Sequence, residues 1–329
     1  MTLHLQLLVA FSLAFLLWPS LRAADSPQKP AKIPVILDTD IGDDIDDTWA
    51  LALILKSPEL DLKLVVGDYY KANYRAKLIA KFLQTANRSD VAVGVGLKPE
   101  DTATAGQAKW VENYDLKSYP GKVHPDGVQA LIDTIMASPT PITLISIGPA
   151  PNVAEALRRQ PQIATKARFV GMYGSVRKGY DGNAKPAPEW NVKADPKACQ
   201  KVFTSPWEMT ITPLDTCSLV RLRSPKFKTL RDSTDPIAKA VIENYDIWAK
   251  GKPNESSILF DTVAVYLSFS TDLANMEKLN IRVADDGMTL IDPQGKPMNV
   301  ATSWKDLSAF EDLLVKRLTT AVAADNNRL

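Results

Sequence analysis

The chain has 329 residues, and 39 Lys and Arg against 38 Asp and Glu leave it nearly neutral at +1. That balance gives no electrostatic footprint for nucleic acid, and 45% hydrophobic residues suffice for a sizeable core in one large domain or two small ones. Leu5 to Trp18 is almost wholly apolar, and Ala23 and Ala24 offer small residues for cleavage, so residues 1–24 have the shape of a secretory signal peptide. The apolar run is short for a membrane span. A secreted or periplasmic protein with no stable membrane anchor after cleavage is expected. Residues 25–32 read as a linker and 33–329 as the folded domain. Export permits a disulfide between Cys199 and Cys217, and a pair of buried free thiols is equally open. Without the leader, His124 is the one remaining histidine, which excludes a His-rich zinc site and any Ser-His-Asp triad that His124 does not serve.

Ile33 to Leu37 is a short apolar run that reads as a buried strand. Asp38, Asp40, Asp43, Asp44, Asp46 and Asp47 follow within ten positions. Trp49 to Leu55 then reads as a helix packed on a sheet. Strand, acidic loop and helix is the layout by which an open α/β sheet presents ligands at the carboxyl ends of its strands. Clustered carboxylates repel one another unless a cation sits among them, and hard oxygen donors suit Ca²⁺ or Mg²⁺. An EF-hand loop starting at Asp38 would need Gly at its sixth position and Glu at its twelfth. Gly42 is fifth and Trp49 twelfth, so that reading fails. A haloacid-dehalogenase-like phosphatase, with Asp-x-Asp after its first strand, survives this motif alone.

Further along, Leu60 to Val66 reads as a strand delivering Asp68 to the same edge, Ala72 to Leu83 as a helix and Val91 to Val95 as a third strand. Gly96 to His124 is long, polar and dotted with Trp110, Tyr114 and Tyr119, a length usually reserved for function. Val128 to Met136 is helical. Ile142 to Ile147 is an apolar strand ending in Gly148-Pro149-Ala150-Pro151-Asn152, and a helix opens at Val153. Phe169 to Met172 is the next strand, followed by a Gly-rich loop and Glu189-Trp190-Asn191. Asp195 starts a helix running to Phe203, and Glu208 to Ile211 is a strand. Lys239–Lys250 and Ile258–Phe269 are helices, Ile281–Ile291 a hairpin and Trp304–Val322 a closing helix. The alternation predicts a single α/β domain with an open, mainly parallel, doubly wound sheet.

Asp38-Thr-Asp40-Ile-Gly42 followed by Asp46-Asp47-x-x-Ala50 resembles the signature of the inosine-uridine-type nucleoside hydrolases. Thr143 to Asn152 resembles that family's strand ending in a Gly-rich turn and Asn. Glu189-Trp190-Asn191 with Asp195-Pro196 resembles its Glu-Phe-Asn and Asp-Pro segment, with Asn183 at the matching distance upstream. Asp261 sits where a late helix supplies the last metal-binding carboxylate. The phosphatase reading leaves the last two segments unexplained.

The resemblance implies Ca²⁺-dependent hydrolysis of the N-glycosidic bond of ribonucleosides, giving ribose and free base through an oxocarbenium-like transition state. It implies Asp40, Asp47, Asp261 and the Ile147 carbonyl as Ca²⁺ ligands, with Asp40 also the general base. Asp46, Asn183, Glu189 and Asn191 would hold ribose hydroxyls and Met172 would lie beneath the ring. Asn152 would stand nearby or cap a helix. Base contacts are expected around Trp110–His124 and Tyr245–Trp248, and a homo-oligomer is consistent with the relatives. Three features depart from the family pattern. The acidic loop is two residues longer between Gly42 and Asp46, so Asp44 competes for the metal. Asp68 replaces a common Asn. Phe260 stands where several members carry a proton-donating His, so the base must leave with another acid, with help from stacking, or unaided. The competing expectation is a secreted Ca²⁺/ribose-binding protein without turnover.

Overall fold

β1 (Ile33–Thr39) runs through the middle of the molecule, between β2 (Leu60–Gly67) and β5 (Ile142–Ser146), parallel to both. Its alternate side chains divide between two cores: Val35 and Leu37 join one apolar cluster and Ile36 the other. Burial on both faces is what a central parallel strand requires, and it accounts for the unbroken apolar run. The structure is a computed structural model that describes residues 31–98 and 105–320. The expected signal peptide and all but the end of the expected linker lie outside the described residues. From Lys32 onward the chain forms one unit.

After β1 come α1 (Asp46–Lys56), β2, α2 (Ala72–Thr85), β3 (Ala92–Gly94), β4 (Val123–His124), α3 (Gly127–Ala137) and β5. Then follow α4 (Pro151–Arg159), α5 (Ile163–Lys166), β6 (Ala167–Met172), α6 (Trp190–Ala194), α7 (Pro196–Thr204) and β7 (Met209–Thr212). The last part holds α8 (Leu214–Cys217), α9 (Lys226–Arg231), α10 (Pro236–Trp248), α11 (Phe260–Leu267), β8 (Ala274–Val283), β9 (Thr289–Ile291), β10 (Lys296–Trp304) and α12 (Leu307–Thr319). The ten strands form one sheet in the order β4-β3-β2-β1-β5-β6-β7-β10-β8-β9. Pairing is parallel from β4 to β10, and β8 and β9 add antiparallel strands at one edge. Helices α1, α2 and α9 to α12 cover one face; α3, α4, α5 and α7 cover the other. The doubly wound, mainly parallel sheet is as expected.

Three local expectations change. The hairpin begins seven residues earlier than expected, at Ala274, and is followed by a strand the pattern did not disclose. That strand, β10, places Asn299 and Val300 beside Thr210 and Ile211 of β7. Pro297 near its start and polar residues along it hide it, since Pro and broken alternation normally argue against a strand. The segment 96–124 is not a site loop where described: Trp110 packs on Phe82 and donates its indole N–H to Glu243, and Tyr119 is buried with its hydroxyl on the Val91 carbonyl. Cys199 and Cys217 are both buried free thiols.

Candidate active site

The parallel strands β1, β5 and β6 bring their carboxyl ends to one edge, where a cavity of about 500 Å³ opens, within the range of small-molecule sites. Its acidic wall is the loop between β1 and α1. A buried guanidinium shapes that loop: Arg75 of α2 donates to the carbonyls of Asp40, Ile41 (2.9 Å), Tyr69 (2.8 Å) and Tyr70 (2.9 Å), and to the Asp43 carboxylate at 2.8 Å. Asp43 is paired with Lys71 as well, at 2.6 Å. Gly42 holds a φ of +113°, and a Cβ there would stand 2.5 Å from the Tyr74 ring, so only glycine fits the turn.

Asp46 and Asp47 form the first turn of α1 and Asp261 lies in the first turn of α11, where helix dipoles favour carboxylates. Each of these three acids offers an oxygen within 4.8 Å of the others, and all three are buried. Thr39 donates its hydroxyl to Asp47 at 2.5 Å and the Asp261 amide donates to Asp46 at 3.2 Å. Burial first, then mutual repulsion, pushes their proton affinities far up: Asp40 and Asp46 act on Asp47, and Asp46, Asp47 and Asp40 act on Asp261. Asp40 lines the same cavity and is pushed up to about 7 by burial, against the pull of Arg75. Three buried hard-oxygen donors that repel one another are a chemical fit for a divalent cation.

The opposite wall comes from β5, β6 and α6. Glu189 caps α6, taking the amides of Asn191 (2.7 Å) and Val192 (3.3 Å) and, from the turn after β6, that of Gly174 (2.9 Å). Burial still raises its pKa to about 7. Asn191 donates to the carbonyls of Ile147 (3.2 Å) and Met172 (3.0 Å), which ties the ends of β5 and β6 together. Tyr180, Trp190, Trp248 and Phe260 form an aromatic rim, with Tyr180 edge-on to Phe260 at 6.2 Å between ring centres.

Of the residues singled out from the sequence, Asp40, Asp46, Asp47, Ile147, Met172, Glu189, Asn191, Phe260 and Asp261 come together around the cavity. Two positions differ from expectation. Asn183 is exposed outside the cavity, in a turn where its side chain accepts the Lys185 amide. Asn152 is fully buried and neither contacts the cavity nor caps a helix: it donates to Asp38 (2.9 Å) and the Gly67 carbonyl (3.0 Å) and accepts the Leu97 amide (3.0 Å). Asp46, expected at the ribose, stands with Asp47 and Asp261 in the three-carboxylate group, and Asp40 lines the same cavity. Asp68 does not face the cavity; its carboxylate accepts the amides of Ala150 (2.8 Å) and Asn152 (3.3 Å) at the start of α4. The rim residues Tyr180 and Trp190 carried no signal beyond being aromatic beside Glu189.

A parallel sheet with a buried carboxylate cluster at its carboxyl edge defines a class of cation-ready small-molecule sites, and comparison with known proteins narrows it. The family described as inosine-uridine preferring nucleoside hydrolase matches residues 35–312. The non-specific ribonucleoside hydrolase RihC of Escherichia coli (strain SE11) is 29% identical over 312 residues, covering 88% of this chain and 99% of that protein. The pyrimidine-specific ribonucleoside hydrolase RihA of Salmonella arizonae is 28% identical over 310 residues, covering 87% and 98%. A solved plant nucleoside hydrolase superposes with a TM-score of 0.75 at 22% identity, covering 88% of this chain and 100% of its own, and so attests the fold. The chain belongs to the inosine-uridine preferring nucleoside hydrolase family. It is an enzyme of that class, a hydrolase of the ribonucleoside N-glycosidic bond.

Proposed function

We propose that the enzyme works in a Ca²⁺-dependent manner, outside the cytoplasm, on nucleosides whose ribose faces the carboxylate cluster and whose base lies under the aromatic rim. The observation that carries this reading is the buried group Asp46, Asp47 and Asp261, whose mutual repulsion a divalent cation relieves. Asp46, Asp47 and Asp261 would hold the ion, with the Ile147 carbonyl and Asp40 beside them. Bound Ca²⁺ would supply a site for two ribose hydroxyls and acidify a water.

The chain's own groups do the rest. Asp40, on the cavity wall beside the cation-ready group, accepts the proton of the attacking water. Asn191 and Glu189 lie on the far wall; no described residue donates to the Asn191 amide oxygen, which leaves it for a ribose hydroxyl. Carboxylates around the ring stabilise the positive charge that develops as the C1′–N bond breaks. Phe260, Tyr180 and the two tryptophans shield that charge from water and stack on the base. The Ca²⁺/ribose-binding alternative is not favoured, because the Asp40 carboxylate lines the cavity where a general base is needed. Chromatography of reaction mixtures with inosine, adenosine, uridine and cytidine tests the proposal. Equimolar ribose and free base are expected from at least one, and binding of ribose with no product from any would overturn it.

A further inference from the structure

Phe260 cannot give a proton, so if the base leaves with help, the help comes from elsewhere in the cavity. The walls offer few donors. Asp46, Asp47 and Asp261 belong to the cation-ready group, Asp40 is the base, Asp43 is paired with Lys71 and Arg75, Asp44 accepts the Ile45 amide, and both oxygens of Glu189 already accept backbone amides. No His or Lys lines the cavity among the described residues. Indole N–H groups are too weakly acidic. Tyr180 is the hydroxyl that remains.

Its position is fixed from two sides. The Tyr180 ring stands edge-on to Phe260, 82° between planes, on the rim where the base is to stack. Its oxygen accepts the Trp190 amide at 2.9 Å. That bond uses a lone pair and leaves the hydroxyl hydrogen free, since no described residue accepts it. Resting on the hydrolase reading above, we propose that Tyr180 is a catalytic residue whose hydroxyl protonates the departing base. Burial, with the Glu189 carboxylate adding to it, pushes the Tyr180 pKa up to about 12, so the proton is held across the working pH range.

The step balances without an oxidant or reductant. The C1′–N electron pair goes to the base nitrogen, which takes the Tyr180 proton. The water oxygen bonds to C1′ and its proton passes to Asp40. Asp40 then returns that proton to the tyrosinate through solvent, restoring both groups.

The test compares substrates that differ only in their need for the acid. p-Nitrophenyl riboside carries a leaving group stable as an anion; inosine and uridine do not. Y180F is expected to lower inosine and uridine turnover by ~10²-fold, the low end of general-acid effects, while p-nitrophenyl riboside changes by less than about threefold. D181N, which alters an exposed carboxylate beside Tyr180 in sequence and outside the cavity lining, should leave the ratio of the two substrates where it was. An equal fall on both substrates in Y180F would make Tyr180 a support for Trp190 and overturn the proposal. So would an unchanged ratio, or a ratio shifted by D181N instead. If Y180F does not fold, Y180H, which keeps a donor, should retain the wild-type ratio, and a collapse of nucleoside turnover alone would count against the proposal. Wild type that cleaves p-nitrophenyl riboside but no nucleoside overturns the acid and spares the hydrolase; wild type that cleaves neither overturns both.

Discussion

The backbone amide of Asp261 donates to the carboxylate of Asp46 across 215 residues of sequence, at 3.2 Å. Through that bond the first turn of α11 is keyed to the first turn of α1, and the acids of both meet in one buried group. Asp47→Ala or Asp261→Ala removes a charged donor from a group with few to spare, so each should abolish Ca²⁺ binding in a calorimetric titration. Asp43 lies beyond that group, held by Arg75 and Lys71. Asp43→Ala should keep the stoichiometry and cost about 1–3 kcal/mol of stability, the scale for a lost charged hydrogen bond. Loss of the ion in Asp43→Ala with retention in Asp47→Ala would mean the loop register is misassigned.

Stability should depend on pH in opposite senses with and without the ion. Asp40 and Glu189 are raised to about 7 and Asp68 to about 6 by burial, and burial raises Asp47 and Asp261 as well. All bind protons more tightly folded than unfolded, so their contribution is full below about pH 4 and is lost as pH rises through about 6–7. Glu155 and Glu277, held near 2 by hydrogen bonds from Arg158 and Arg177, act the other way and only below that window. In chelator, Tm should therefore fall from pH 5 to pH 8. Saturating Ca²⁺ should raise Tm most at pH 8, because the ion takes the deprotonated acids. A Tm in chelator that rises across the same interval would contradict this.

Asn152 should matter for folding more than for substrate. Its side chain joins Asp38, Gly67 and Leu97 behind the acidic loop, with no exposed surface. Asn152→Ala leaves a buried carboxylate and two backbone groups without that partner, at a cost of about 2–4 kcal/mol. KM for the best nucleoside should stay within about twofold on the folded protein. A large rise in KM with unchanged Tm would return Asn152 to the ribose.

How much of this could be read from the residues differs by level. Most strands and helices up to Thr212, the short β4, α5 and α6 excepted, follow from apolar runs and 3.6-residue spacing, because a parallel sheet buried on both faces writes itself as such. β10 did not, because Pro297 sits at its start, outside the stretch paired with β7, and polar residues break its alternation. Asp46, Asp47 and Asp261 were legible as acids beside helix starts, and their residue type alone pointed to a cation. Which of Asp40 and Asp46 completes the group was not, since one turn of loop geometry decides it. Asn152 and Asn183 were misplaced because a motif fixes residue type and order, while burial depends on how α4 and the 183–187 turn fold. Tyr180 was invisible because its role depends on meeting Phe260, 80 positions away.

Metal-dependent hydrolysis at the Asp46, Asp47 and Asp261 group is decided by reducing-sugar release from inosine and uridine by chelator-treated protein. Release should disappear on removal of the ion and return with stoichiometric Ca²⁺ in wild type, and should not return in Asp261→Ala. Full release from protein shown to contain no divalent metal would contradict the account.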